Sequence, residues 1–381
     1  MGKQVIYTDQ VMRPIAHFSH AARIGGTVHL GATAGTDAAR RLAGSTPGLV
    51  DVAAQTRRMF ENAALVLGLA GTDLARAVKV KTYLNDLRDR PVYDALFAEF
   101  CGRDAPCHVV VGSAGFPLPQ AAIELDLLAL AEGAIRRYPA QGGAVSAGGR
   151  LHSFAGPARP GKAAPAGFAA QCGAALALLQ ADVTGCGFAP SDIVYLHATL
   201  ADARDIPAFG EAIRARLPAP LPATSVVVAQ PGEPGWRLQI EAVAAAGGGR
   251  PIAPAGLPVG PLPGSPAMLA APDLYVSGQF GLASDGALAT GVEAQTRAAW
   301  MRVEALLAAA GMSGADVLRT NNVLVDWRDY AGFNAGYGAH VTEPYPPRAT
   351  VLGGLALSPA LVQVEAIAHR DGANATIVQV R

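Results

Sequence analysis

Two residues near the C-terminus have types suited to carboxylate and proton chemistry. Arg348 stands in the run PPRATV and Glu365 in LVQVEAIA. A planar guanidinium binds a carboxylate through two parallel hydrogen bonds, fixing orientation as well as affinity, whereas lysine supplies charge without that fork. Period-two alternation sets Gln363, Glu365 and Ile367 on one face of their strand and Val362, Val364 and Ala366 on the other. Burial in so apolar a strand raises a carboxyl pKa, and a neighbouring arginine lowers it. Either balance leaves an acid–base group. An isolated arginine–glutamate pair is more often a surface ion pair, so the weight rests on the elements that hold these two.

Those elements occur three times. A helix carries A-A-Q-T-R at Gln55, A-A-Q-C-G at Gln171 and E-A-Q-T-R at Gln295. Small-residue stops follow at Gly71, Gly187 and Gly311, and β-rich runs then close on Arg-Asp at Asp89, Asp205 and Asp329. All three landmarks keep offsets of 116 and 124 residues, the signature of internal triplication. Each unit reads as a short alternating strand, a Gly/Ala/Pro-rich connection, a long helix, a strand, a shorter helix and two closing strands. In the first long helix Met59, Ala63, Leu65, Val66 and Leu69 fall largely on one side, and Gly71 suits the left-handed position after its end. Residues 132–149 and 246–266 are Gly/Pro-rich, lack periodicity and read as boundaries.

This pattern predicts an α+β chain of three tandem units, 1–133, 134–248 and 249–381, each with helices on one sheet face. Packing the three bare faces together predicts an intramolecular pseudo-trimer, one chain doing what a homotrimer does.

The third unit, with YVSGQFG, EAQTR, WRDYAGFNAGY, PPRATV and VQVEAIA, resembles the RidA/YjgF family of imine/enamine deaminases. The resemblance runs over nearly the whole chain as three copies. It implies a chorismate-mutase-like fold with active sites in clefts between units, where an enamine tautomerises to an imine, adds water and loses ammonia to leave a 2-oxo acid. Carried over by position, the carboxylate-binding arginine falls on Arg348, against His108 in unit 1 and Thr224 in unit 2. The water-positioning glutamate falls on Glu365, against Asp126 and Glu241. Ser277 and Gly278 match substrate contacts, and Asn334 matches a pocket asparagine. The aromatic residue before the first strand is missing from unit 3, where Gly264 or Ser265 stands, and present as Phe18 in unit 1, which could lend it across an interface. His108 and Asp126 read either as a divergent second site or as interface residues.

The expected partner is a small carboxylate-bearing substrate, with no cofactor and no metal. Other readings of the same residues are a chorismatase-like hydrolase and a non-catalytic binding or scaffold protein. Lys+Arg and Asp+Glu are 30 each, so the chain has no overall field to gather nucleic acid. Apolar residues reach 51% and charged residues only 16%, which supports a large core. No run approaches a membrane span, and the N-terminus lacks an apolar signal core. Cys101, Cys107, Cys172 and Cys186 sit in no C-x-x-C spacing and read as reduced, packed thiols of a cytoplasmic chain that could self-associate further.

Overall fold

The computed structural model of the chain describes residues 2–102, 105–258 and 260–380. Among the described residues six α-helices form three long–short pairs. They are α1 (Val52–Leu69) with α2 (Arg90–Cys101), α3 (Phe168–Gly185) with α4 (Ile206–Arg216), and α5 (Val292–Ala309) with α6 (Tyr330–Gly338). Asp51 caps α1 by accepting from the Ala54 amide. Gly71, Gly187 and Gly311 follow the long helices at φ of +78°, +87° and +73°, a conformation that any Cβ would strain. Met59, Ala63, Val66 and Leu67 are the buried stripe of α1, while Leu65 and Leu69 are only half covered.

The repeated glutamine ties each long helix to its closing strand. Gln55 accepts from the Ala122 amide, Gln171 from Arg237 and Gln295 from Leu361, at 2.7–2.8 Å, so the side chain satisfies a buried backbone donor. That need explains why the same residue type recurs at the same place in all three units.

Each helix pair covers one face of its own mixed sheet. In unit 1 the central strand Ala77–Leu84 lies between Cys107–Gly112, parallel to it, and Ile123–Leu130, antiparallel. Ile193–Leu200 and Val317–Leu324 play the same part in units 2 and 3. These registers make Val80, Leu196 and Thr320 equivalent, and so His108, Thr224 and Arg348. They likewise align Glu124, Gln239 and Gln363, and Asp126, Glu241 and Glu365.

Two features differ from the sequence reading. Strands Ile135–Tyr138, Ala144–Ala147 and Arg250–Ile252 lie inside the aperiodic stretches; three or four residues are too few for a period-two pattern to register. The last strand, Ala375–Val380, leaves unit 3 and pairs in parallel with Lys3–Thr8 in the sheet of unit 1.

The units touch in cyclic order. Strand Cys107–Gly112 lies against Arg150–Ala155, Ala223–Val228 against Asp273–Phe280, and Arg348–Leu352 against Thr27–Ala34. The sheet faces turned away from the helices meet one another. One end of this junction is an apolar cluster with Tyr83, Val109, Val227, Phe280, Val323 and Val351, drawn from all three units. Among the described residues no helix is long and apolar enough to cross a membrane.

Candidate active site

Arg348 opens an edge strand, and its pairing with Thr320 turns its side chain toward α6. There the guanidinium donates to Asn334 Oδ1 at 2.7 Å and to the Tyr330 hydroxyl at 3.2 Å. Its carbon stands 4.8 Å from the Tyr337 ring centroid and 5.3 Å from that of Phe333. Unit 1 supplies the opposite wall. Ser19 bridges Pro347, which brings the Phe18 ring to 5.1 Å from the guanidinium carbon. Gly31 allows this approach, since a Cβ there would meet the Arg348 amide nitrogen and carbonyl oxygen at 3.2 Å.

Arg348 is 3% exposed, yet among the described residues no carboxylate lies within ion-pair reach of it. Its Nη1 has no hydrogen-bond partner, and the same is true of the buried Thr350 Oγ1 and Trp327 Nε1. A buried charge without a counter-charge is costly, so a pocket that keeps one is built for an anion that arrives.

Glu365 does not face this arginine. It pairs with Asn321, one residue beyond the partner of Arg348, and so lies on the other face of the sheet. There it accepts from Tyr195 Oη at 2.6 Å and Gln363 Nε2 at 2.9 Å, and His197 Nε2 lies 3.6 Å away. Its equivalents are answered in the same cyclic way. Lys79 and Lys81 of unit 1 face Glu241 of unit 2, and Arg319 of unit 3 meets Asp126 of unit 1 at 2.7 Å. Burial pushes the Glu241 carboxyl up, but Lys79 and Lys81 together with His197 hold it well below its ordinary range. These three carboxyls form a layer where the sheets meet, and the pairing of Arg348 with Glu365 drawn from the sequence is corrected.

The register makes Glu124, which the sequence reading passed over, the unit-1 equivalent of Gln239 and Gln363. It pairs with Ala34 on the strand that Arg348 abuts. Its unit-2 equivalent, Gln239, reaches across the interface to the Val110 carbonyl, two residues after His108. Val110 is the equivalent of Thr350, so the same contact in the third interface would direct Glu124 toward the strand of Arg348. Glu124 is 8% exposed and has no ion pair or hydrogen bond among the described residues. Burial first, then the charge of Asp126, pushes it up to about 8. Its signal was in IELDLLAL, where alternation puts two carboxyls on one face and the resemblance drew attention to the second.

The other two clefts are filled. His108 stacks on Phe97 with centroids 3.8 Å apart and hydrogen-bonds Tyr93 Oη at 2.8 Å, and burial lowers it to about 3, leaving a neutral ring. The Arg90 guanidinium donates to the Gly232 carbonyl, closing that interface. Asp126 belongs to the carboxyl layer, so His108 and Asp126 form no pair. In the interface of units 2 and 3, Pro263 and Gly264 occupy the space that the small residues Gly210 and Thr224 leave. Ser277 and Gly278 lie there too. Ser277 Oγ donates to the Pro266 carbonyl, and the Gly278 amide to Ser225 Oγ. The structure therefore joins Arg348, Asn334 and Phe18 and separates Ser277, Gly278 and Glu365 from them. All four cysteines are free and buried, with thiol pKa values raised by burial.

The Endoribonuclease L-PSP family profile matches residues 8–131 and 262–370, more than half of the chain. A RutC family protein of Pyrococcus abyssi is 31% identical over 134 residues, which cover 35% of this chain and 100% of that protein. The 3-aminoacrylate deaminase RutC of Acinetobacter baylyi is 34% identical over 31% of this chain and 95% of its own length. A solved chorismatase structure superposes with a TM-score of 0.58 at 12% identity, covering 77% of this chain and 93% of that one, which is a likeness of fold. The chain therefore belongs to the Endoribonuclease L-PSP family, that of the RutC and RidA proteins.

Proposed function

We propose that the chain is a pseudo-trimer in one polypeptide with a single working cleft, which deaminates a small carboxylate-bearing enamine or imine. The observation that carries this reading is the buried guanidinium of Arg348, with its unpartnered Nη1, enclosed by unit-3 aromatics and Phe18 of unit 1. A substrate carboxylate completes that site and is oriented by its fork. Names within the family support the reaction class, since one relative is a 3-aminoacrylate deaminase.

Glu124 is the acid–base group of this mechanism. Its neutral carboxyl donates a proton to the enamine carbon, giving the iminium form of the substrate. The resulting carboxylate takes a proton from water as the water oxygen bonds to the iminium carbon. The same proton then passes to the amine nitrogen of the carbinolamine. The C–N bond breaks, the hydroxyl proton returns to the carboxylate, and ammonia and a 2-oxo acid leave. A carboxyl with pKa about 8 suits both the donation and the return near neutral pH.

The direct test generates imines in situ with an amino-acid oxidase and follows ammonia and 2-oxo acid. Acceleration over the uncatalysed reaction is the expected outcome, and its absence with every imine tried would leave a binding role. Two variants refine the test. Phe18→Ala should raise KM about tenfold with little change in kcat, because a ring over a desolvated guanidinium contributes on the order of 1–2 kcal/mol to holding it in place. Glu365→Gln should leave kcat within about threefold of wild type, since an amide still accepts from Tyr195 and the residue does not face the cleft. A loss of more than a hundredfold in that variant would return Glu365 to the chemistry.

A further inference from the structure

Asp126 and Glu241 of the carboxyl layer line a cavity of about 540 Å³ where the three units meet, within the range of small-molecule sites. It is separate from the Arg348 cleft, since its wall includes neither Arg348, Asn334 nor Phe18. Its mouth lies among the exposed turns at Gly25, Gly148 and Pro272, and each unit provides one. At the neck Arg150 and Asp273 pair at 2.9 Å.

The lining has two chemical parts. Leu128, Val243 and Ile367 are apolar, and Tyr195 and Tyr275 stack with centroids 5.9 Å apart. Deeper in stand Lys79, Lys81 and Arg319. Arg319 is balanced by Asp126, and Lys79 and Lys81 share the one carboxylate of Glu241. Three ammonium protons on each lysine exceed what that carboxylate can accept. His152 and His197 line the same wall, each 7% exposed, and His197 Nδ1 lies 3.4 Å from Glu241 Oε1.

We propose that this cavity is a second small-molecule site, which binds a monocarboxylate with an apolar, ring-sized body. The carboxylate sits at Lys79 and Lys81, beside the His152 and His197 rings. The body lies against Tyr275, Leu128 and Ile367. Such a guest bridges all three units, so binding tightens the whole assembly.

The test uses benzoate as probe and Arg348→Ala as the protein, so that binding in the proposed active cleft does not contribute and no turnover is needed. Calorimetry should show one benzoate per chain, with benzyl alcohol at least tenfold weaker. Adding Lys79→Met should weaken benzoate at least tenfold, while Lys81 still partners Glu241. Adding Leu128→Trp instead fills the cavity and should abolish binding, with a cooperative thermal transition showing that the variant folds. Failure of Arg348→Ala to bind benzoate, or equal binding in the Leu128→Trp protein, would overturn the proposal. Either result would leave the deaminase reading of the Arg348 cleft standing.

Discussion

Arg348→Ala should lower kcat/KM for imine hydrolysis by about 10²–10³-fold while leaving the protein as stable as wild type or more so. The two halves of this expectation have one cause. With substrate bound, the guanidinium makes a forked, desolvated ion pair, and truncating one partner of such a pair costs roughly 2–5 kcal/mol. Without substrate, the same guanidinium is buried against aromatic rings with Asn334 and Tyr330 as its polar partners. Removing it relieves a desolvated charge at the expense of some packing. A structural arginine would behave in the opposite way, because its loss would strand a carboxylate. Arg348→Lys should restore little activity, since an ammonium lacks the fork. Steady-state kinetics beside denaturant unfolding decides it. A strongly destabilised but active Arg348→Ala protein would sink the assignment.

Glu124→Gln should cut kcat by about 10²–10⁴-fold, the range lost when a positioned acid–base group is removed. In wild type, activity should fall as pH rises through about 8, where the carboxyl loses the proton it donates. Stability moves with it. The folded pKa lies above the value near 4.5 of an unfolded chain, so between those pH values the native state holds a proton that the unfolded state has released. Unfolding free energy therefore declines as pH rises from about 4.5 to 8. At three to four pKa units the full effect is on the order of 4–5 kcal/mol, an upper bound for this residue. The amide variant does not titrate, so its stability relative to wild type should increase across the same window. Denaturant midpoints at pH 5 and pH 8.5 measure the difference, and parallel pH dependence in the two proteins would strip Glu124 of its acid–base role.

Covalent triplication gives a reason for the asymmetry of the three clefts. In a homotrimer one substitution alters all three sites. In this chain Thr224 with Gly210 makes room for Pro263 and Gly264, and His108 is stacked in place, without any change at Arg348. The interior pairs follow the same logic. Lysines answer Glu241, an arginine answers Asp126, and a tyrosine with a histidine answers Glu365, so each junction has its own partners.

The repeat, the helices and their stops, and the residue types of the candidate pocket are legible in the order of residues alone. These are local properties. Glycine at a left-handed position, a glutamine that must satisfy one amide, and apolar spacing along a helix are each written within about twenty residues. Arg348, Asn334 and Phe18 could also be named, because the stretches that hold them resemble the family's. Which face of which neighbour a carboxyl meets is a matter of packing. Glu124 and Asp126 share one face of one strand, yet Asp126 meets Arg319 where the sheets converge, while among the described residues Glu124 has no ion pair. Ser277 and Gly278 go to another cleft for a related reason, since the strand that carries them lies against unit 2 and not against the Arg348 strand of its own unit. Alternation along a strand fixes which side a residue faces. What waits on that side is set by the packing of sheets that lie more than a hundred residues apart in sequence.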